Sequence, residues 1–166
     1  MKTTLTTILL SALILFSTSC DRQTEESCKK EREKIANLLE NYILANENQD
    51  FELIEAIWAP NDDIILYGTD SDERLTGWTN IKEAIKEQFG YITDTYISAS
   101  NQFIKLNCTG NTAWFAETLN YNYMYRGVAH SYEGLRFTGV VEKIDGNWLL
   151  VQAHLSLPAS VGIGDK

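Results

Sequence analysis

Cysteine is scarce in this chain, and basic side chains are outnumbered. Three cysteines stand among 166 residues, none in a Cys-x-x-Cys pair or clustered with either histidine, which argues against a structural zinc site. Fourteen Lys and Arg face 23 Asp and Glu, a formal net charge of −9. That balance repels a phosphate backbone, so no nucleic-acid partner is expected. No nucleophile elbow, phosphate-cradling glycine loop or zinc-protease helix occurs. The acidic runs Asp62-Asp63 and Asp70-Ser71-Asp72-Glu73 lack EF-hand spacing; they read as solubilising loops, with weak calcium contact as the alternative. No motif calls for a metal or cofactor. Nothing after Cys20 is long and apolar enough to span a bilayer, and there is no internal repeat.

What is present begins with a leader. Lys2 gives a positive n-region, and Leu5 to Phe16 an apolar stretch broken only by Thr and Ser. Small residues follow, Ser17-Thr18-Ser19, before Cys20. So short a stretch reads as a cleaved signal and not a membrane span. The small residues before Cys20 resemble the lipobox of bacterial lipoproteins, though Ser17 stands where an aliphatic residue is usual. The resemblance implies acylation of Cys20 and a lipid-anchored place in the cell envelope, periplasmic or on the outer membrane. Secretion with cleavage nearby is the alternative. Residues 1–19 are then signal and 20–27 a polar tether. In an oxidising compartment Cys28 and Cys108 can bond or remain two separate thiols, which geometry alone decides.

Residues 28–158 carry the pattern of one domain, and 159–166 form a tail. Ile35, Leu38, Leu39, Tyr42 and Ile43 recur at helical spacing over residues 28–46. Asp50 is a good N-cap for a short second helix, which Pro60 stops. Ile64-Ile65-Leu66-Tyr67 is a short strand with its hairpin return at 74–77. Asn80 and Glu83 form a capping pair for a third helix, closed by Gly90. Four long strands follow, over residues 92–107 (bulged near Asn101), 112–125, 131–144 and 147–157. Asp145-Gly146 is a strong two-residue hairpin signal. The order α-α-β-β-α-β-β-β-β predicts an α+β cone: one strongly bent antiparallel sheet with three helices over its concave face and a pocket between them.

This order, with particular residues, resembles the SnoaL-like branch of the NTF2-like superfamily. The residues are Arg136-Phe137-Thr138-Gly139-Val140, Asp145-Gly146-Asn147-Trp148 and His154-Leu155-Ser156, with Trp58 and Gly77-Trp78 as weaker matches. The segment 145–156 is similar to the end of the calcium/calmodulin-dependent kinase II association domain. The resemblance covers roughly residues 30–158 and implies the cone fold; the superfamily mixes enzymes and assembly domains, so it names no activity. The kinase association domain carries pocket arginines where this chain has Gly139 and Leu155.

Candidate site residues follow from shared strand faces. His154 and Ser156 point the same way; they read as a proton shuttle with its orienting hydroxyl, or as a structural pair at a subunit interface. Glu117, Tyr121 and Tyr123 share a face, where an acid among aromatics can act as proton donor or acceptor; a surface glutamate is the plain alternative. Arg136 can hold a ligand anion or pair with a carboxylate. Trp58 and Tyr67 belong near the pocket mouth, or in the core. His130 reads as a loop residue. A strict turn at 145–146 pairs Phe137 with His154, and a bulge reverses that parity; both remain open. The last strand, apolar on one face and half apolar on the other, reads as covered on both sides, which implies a homodimer. The functional expectation is an envelope protein that binds a small, partly apolar ligand or mediates assembly without catalysis. The alternative is an acid–base enzyme (isomerase, cyclase or dehydratase type) using His154, Glu117 and Tyr121.

Overall fold

The structure, a computed structural model, describes residues 3–107 and 110–159, with side chains from residue 25 onward. The side chain of Cys20, all of Cys108 and most of the tail lie outside these, and with them the expected lipidation of Cys20 and the pairing of Cys108. Cys28 is an exposed, free cysteine. Among the described residues no helix is long and apolar enough to cross a membrane.

The elements follow the expected order. Helix α1 (Thr3–Asn48) continues through the segment read as a tether and buries one stripe, Ile35, Leu38, Leu39, Tyr42 and Ala45. Helix α2 (Phe51–Ile57) starts where the Asp50 carboxylate accepts the Leu53 amide at 3.0 Å, satisfying an amide that the first turn leaves unpaired. Strands β1 (Ile65–Tyr67) and β2 (Arg74–Thr76) form the short hairpin.

Helix α3 (Trp78–Tyr91) departs from its expected limits. It begins two residues before Asn80, behind Gly77 at φ 81°. The Asn80 side chain donates to Thr76 O at 2.7 Å and is no N-cap. Gly77 N–H donates to Ile64 O and Trp78 N–H to Asn61 O, so long-range bonds fix the start instead. Gly90 is not left-handed, and the helix runs one residue further, directly into β3.

Strands β3 (Ile92–Leu106), β4 (Thr112–Tyr125), β5 (Val128–Ile144) and β6 (Asn147–Ser156) form a meander. Both residues of the Arg126-Gly127 and Asp145-Gly146 turns have positive φ, the hand that suits two-residue hairpins. The sheet order is β2-β1-β6-β5-β4-β3. The sheet is mixed, where a purely antiparallel one was expected: β1 runs parallel to β6. Its edges are β2 and β3, the two strands that α3 connects.

Four irregularities bend the long strands. On β3 they lie at Asp94 and Asn101, both at positive φ, the second where the sequence placed it. On β5 one lies at Glu133-Gly134, and on β6 at Val151. The last settles the open parity. Phe137 pairs with Leu155, and His154 with Thr138.

The core fills the space between sheet and helices. Phe137 stacks on Tyr42 (centroids 4.6 Å apart) and meets Phe115 edge-on at 4.9 Å. Gly139 lies under this cluster; a Cβ there would sit 2.4 Å from Gln152 O and 2.6 Å from the Phe115 ring. At the other end, Glu31 on α1 accepts from Lys143 Nζ (2.8 Å) and Trp148 Nε1 (2.7 Å) of the β5–β6 hairpin, and from Lys34. These donors hold its carboxyl down at about 2 against the usual 4.5.

Two outcomes are expected. Gly139→Ala overpacks the core and costs about 1–3 kcal/mol, read as a lower urea midpoint. Glu31→Gln costs about 1–2 kcal/mol at pH 7, because its charged partners lose a carboxylate but stay partly hydrated. Since the folded-state value is depressed, that difference holds above pH 4.5 and fades as pH falls toward 2. A variant gap that persists unchanged in acid would contradict it.

Candidate functional site

Between the concave sheet face and the helices lies an open cavity of about 490 Å³. Tyrosine dominates its lining. Strand β4 contributes Tyr121, Tyr123 and Tyr125, placed on one face by the period of two. Tyr132 joins them from β5 because the Gly134 bulge shifts its parity. Tyr42 comes from α1 and Tyr91 from the end of α3. Trp58, Leu66, Ala84, Ile85, Ile92, Leu135 and Leu155 supply the apolar remainder.

The phenols are held by neighbours. Gln88 donates to Tyr121 Oη at 3.1 Å, and the Tyr123 and Tyr132 hydroxyls are 3.3 Å apart. Burial pushes the Tyr121 phenol up to about 12. Burial also raises Tyr42, with help from Tyr121 and Glu73, and raises Tyr123 together with the Tyr132 hydroxyl. All three stay neutral at physiological pH and offer O–H groups. Asn46 from α1, Thr69, Asp70 and Glu73 from the β1–β2 hairpin, and Glu87 from α3 complete the polar lining.

The predicted residues divide between two faces. Trp58, Tyr121 and Tyr123 line the cavity. Glu117 shares their side of the sheet but lies outside that lining, 4% exposed and opposite the Asn101 bulge. Gln102 donates to its Oε2 at 2.9 Å, while Oε1 is buried without a partner among the described residues. Burial raises its carboxyl above the usual range, opposed by the Gln102 bond. Gln102 also borders a smaller groove between α1 and β3.

His154, Ser156, Arg136 and Tyr67 are not brought to the cavity. His154 is exposed on the outer face, its ring 6.0 Å from that of Tyr67. Ser156 pairs with Arg136 across β5–β6 on the same side. Tyr67 is 41% exposed and accepts from Arg74 Nε at 3.2 Å. The Val151 bulge accounts for His154 and Ser156: without it, both would turn inward. His130, expected in a loop, lies within β5 and stacks on Tyr123 with centroids 5.2 Å apart.

Sequence reasoning missed Tyr42, Tyr91, Tyr125, Tyr132 and the three carboxylates as a group. Tyr125 only continued an alternation already visible in Tyr121 and Tyr123. Tyr132 was hidden by a bulge, Asp70 and Glu73 by reading their hairpin as solubilising, and Glu87 by its exposed place on α3. Among the described residues no group of three or more His, Cys, Asp or Glu is gathered to hold a metal ion.

A family model described as a SnoaL-like domain matches residues 35–160. No curated protein matches significantly. Among solved structures, an NTF2-like superfamily protein from Salmonella enterica serovar Typhimurium has a TM-score of 0.74 at 19% identity, covering 83% of this chain and 98% of its own. A Xanthomonas campestris protein named for a calcium/calmodulin dependent protein kinase II association domain has a TM-score of 0.65 at 21% identity, covering 76% and 87%. An NTF2-like family protein from Streptomyces avermitilis, named as a dehydratase, has a TM-score of 0.70 at 16% identity, covering 80% and 99%. At these identities the likeness is one of fold, and it supports the cone expected from the residues.

Glu117→Gln tests the buried carboxyl. Its folded-state value is raised, so ionisation costs stability as pH climbs through that value. The variant is expected to gain about 1–2 kcal/mol at pH 8 and to match the parent below pH 4. Equal melting curves at both pH values would show that Glu117 carries no such strain.

Proposed function

Since the chain belongs to the SnoaL-like domain family, we propose that its cone is a non-catalytic receptacle for a small, partly apolar ligand. One observation carries this reading: a cavity of about 490 Å³ lined mainly by neutral phenols and apolar side chains. That is the size and character of small-molecule sites, where apolar walls bind and a few polar groups orient. His154 stands outside it, and Glu117 is directed to Gln102. A lipid on Cys20 holds the domain at the envelope, on the periplasmic or outer-membrane side. A second copy of the chain covers the outer sheet face, where Tyr96, Phe103 and Trp114 are exposed.

The second reading is an acid–base enzyme acting on a small hydrophobic substrate. Its specific support is Glu117, a buried acid with a raised carboxyl value on the strand face that carries Tyr121.

A screen of the full-length protein against a mixed small-molecule library separates the two. Under the receptacle reading, some compounds raise the melting temperature, change tryptophan fluorescence and are recovered unaltered. Ala84→Trp, which plants an indole in the cavity wall, is expected to weaken them at least about tenfold, a loss of about 1.4 kcal/mol. Steady turnover of any compound, abolished by Glu117→Gln or His154→Ala, would replace this reading with the second.

A further inference from the structure

We infer that the cavity selects organic cations: an amine or quaternary ammonium head joined to an apolar body. This rests on the receptacle reading and adds the sign of the ligand's charge. Among the described residues, the cavity lining contains carboxylates, Asp70, Glu73 and Glu87, and no lysine, arginine or histidine. Glu73 is half-buried, and its carboxylate folds back over Gly68 and accepts the Asp70 amide at 3.3 Å. The hairpin itself therefore holds an acid beside the opening.

The nearby basic groups are engaged with other side chains. Lys82 and Lys86 lie over the Phe51 ring, Arg74 reaches Tyr67 on the outer face, and Arg126 lies over Tyr125 at the β4–β5 turn. His130 is stacked on Tyr123. None contributes a side chain to the lining.

Aromatic rings provide the second attraction. The Tyr121 and Tyr123 rings stand at 77° to each other, and those of Tyr123 and Tyr132 at 52°. Rings set at such angles do not form one flat stacking surface; His130 covers one face of Tyr123, and Tyr91, Tyr121 and Tyr132 add further rings to the lining. A ring face is the negative end of its quadrupole and attracts a cation. Burial is the chief cause of the raised phenols, and the field of Glu73 at Tyr42 and of Asp70 at Tyr123 adds to it in the same direction. A carboxylate ligand would meet that field with no basic partner in the lining, and desolvating it there is costly. An ammonium head of low hydration, seated between the acids and the rings, gains from both.

The test uses three probes of like shape on the full-length protein: benzyltrimethylammonium, its neutral carbon isostere neopentylbenzene, and phenylacetate. Calorimetry is run at low and at high salt. Benzyltrimethylammonium is expected to bind at least about tenfold more tightly than the neutral isostere, to weaken with salt, and to exceed phenylacetate by more. Glu73→Gln is expected to reduce the cation's affinity about three- to tenfold without changing that of the isostere, and Glu87→Gln, at an exposed position, repeats the measurement if Glu73→Gln folds poorly. Equal or tighter binding of the neutral or anionic probe overturns the charge preference and leaves the receptacle standing. No binding by any probe, or binding indifferent to Ala84→Trp, overturns both.

Discussion

One connection governs this fold: α3 joins the two edge strands of the sheet with almost no loop at either end. Gly77 alone separates it from β2, and β3 begins at the residue after Tyr91. Fourteen helical residues rise about 21 Å, while five strand spacings amount to about 24 Å. The helix must therefore cross the open face from one edge toward the other. Its main sheet contacts are with β2 and β3, which leaves the middle strands without a helical cover at that level. The hollow is thus a product of chain connectivity before it is a product of side-chain choice.

Side chains then decide what the hollow is like. The period of two aims Tyr121, Tyr123 and Tyr125 inward, and two bulges adjust the neighbours. The bulge at Gly134 turns Tyr132 in; the bulge at Val151 keeps Leu155 in and His154 out. A single extra residue in a strand changes which chemistry faces the ligand. The deeper end is packed shut by Tyr42, Phe115 and Phe137 against Gly139. Any side chain at that glycine meets the Phe115 ring and the backbone of β6. The arginine that the kinase association domain carries at the corresponding place has no room here without rearrangement.

What could be read from the residues was mostly local. The helical stripe from Ile35 to Tyr42, the cap at Asp50, the bulge near Asn101 and the hairpin at Asp145-Gly146 all depend on neighbours a few positions away. The parallel pairing of β1 with β6 joins segments more than eighty residues apart, and no local pattern announces it. The true start of α3 rests on bonds from Gly77 and Trp78 to the loop after α2, again invisible to spacing. Of the candidate site, Tyr121 and Tyr123 were legible because β4 is regular on that stretch. His154 and Ser156 were not, because their direction depends on whether a register slip occurs upstream of them.

The parallel contact between β1 and β6 has a bearing on synthesis. The hairpin that brings Asp70 and Glu73 to the opening is made in the first half of the chain, yet the strand it adds to is the last of the described strands to be made. Until residues 152–154 leave the ribosome, the hairpin has no sheet to join. Closing so long a loop is entropically costly. The acidic lip of the pocket is in that sense a certificate of completion: a nascent or C-terminally clipped chain lacks the strand that seats it.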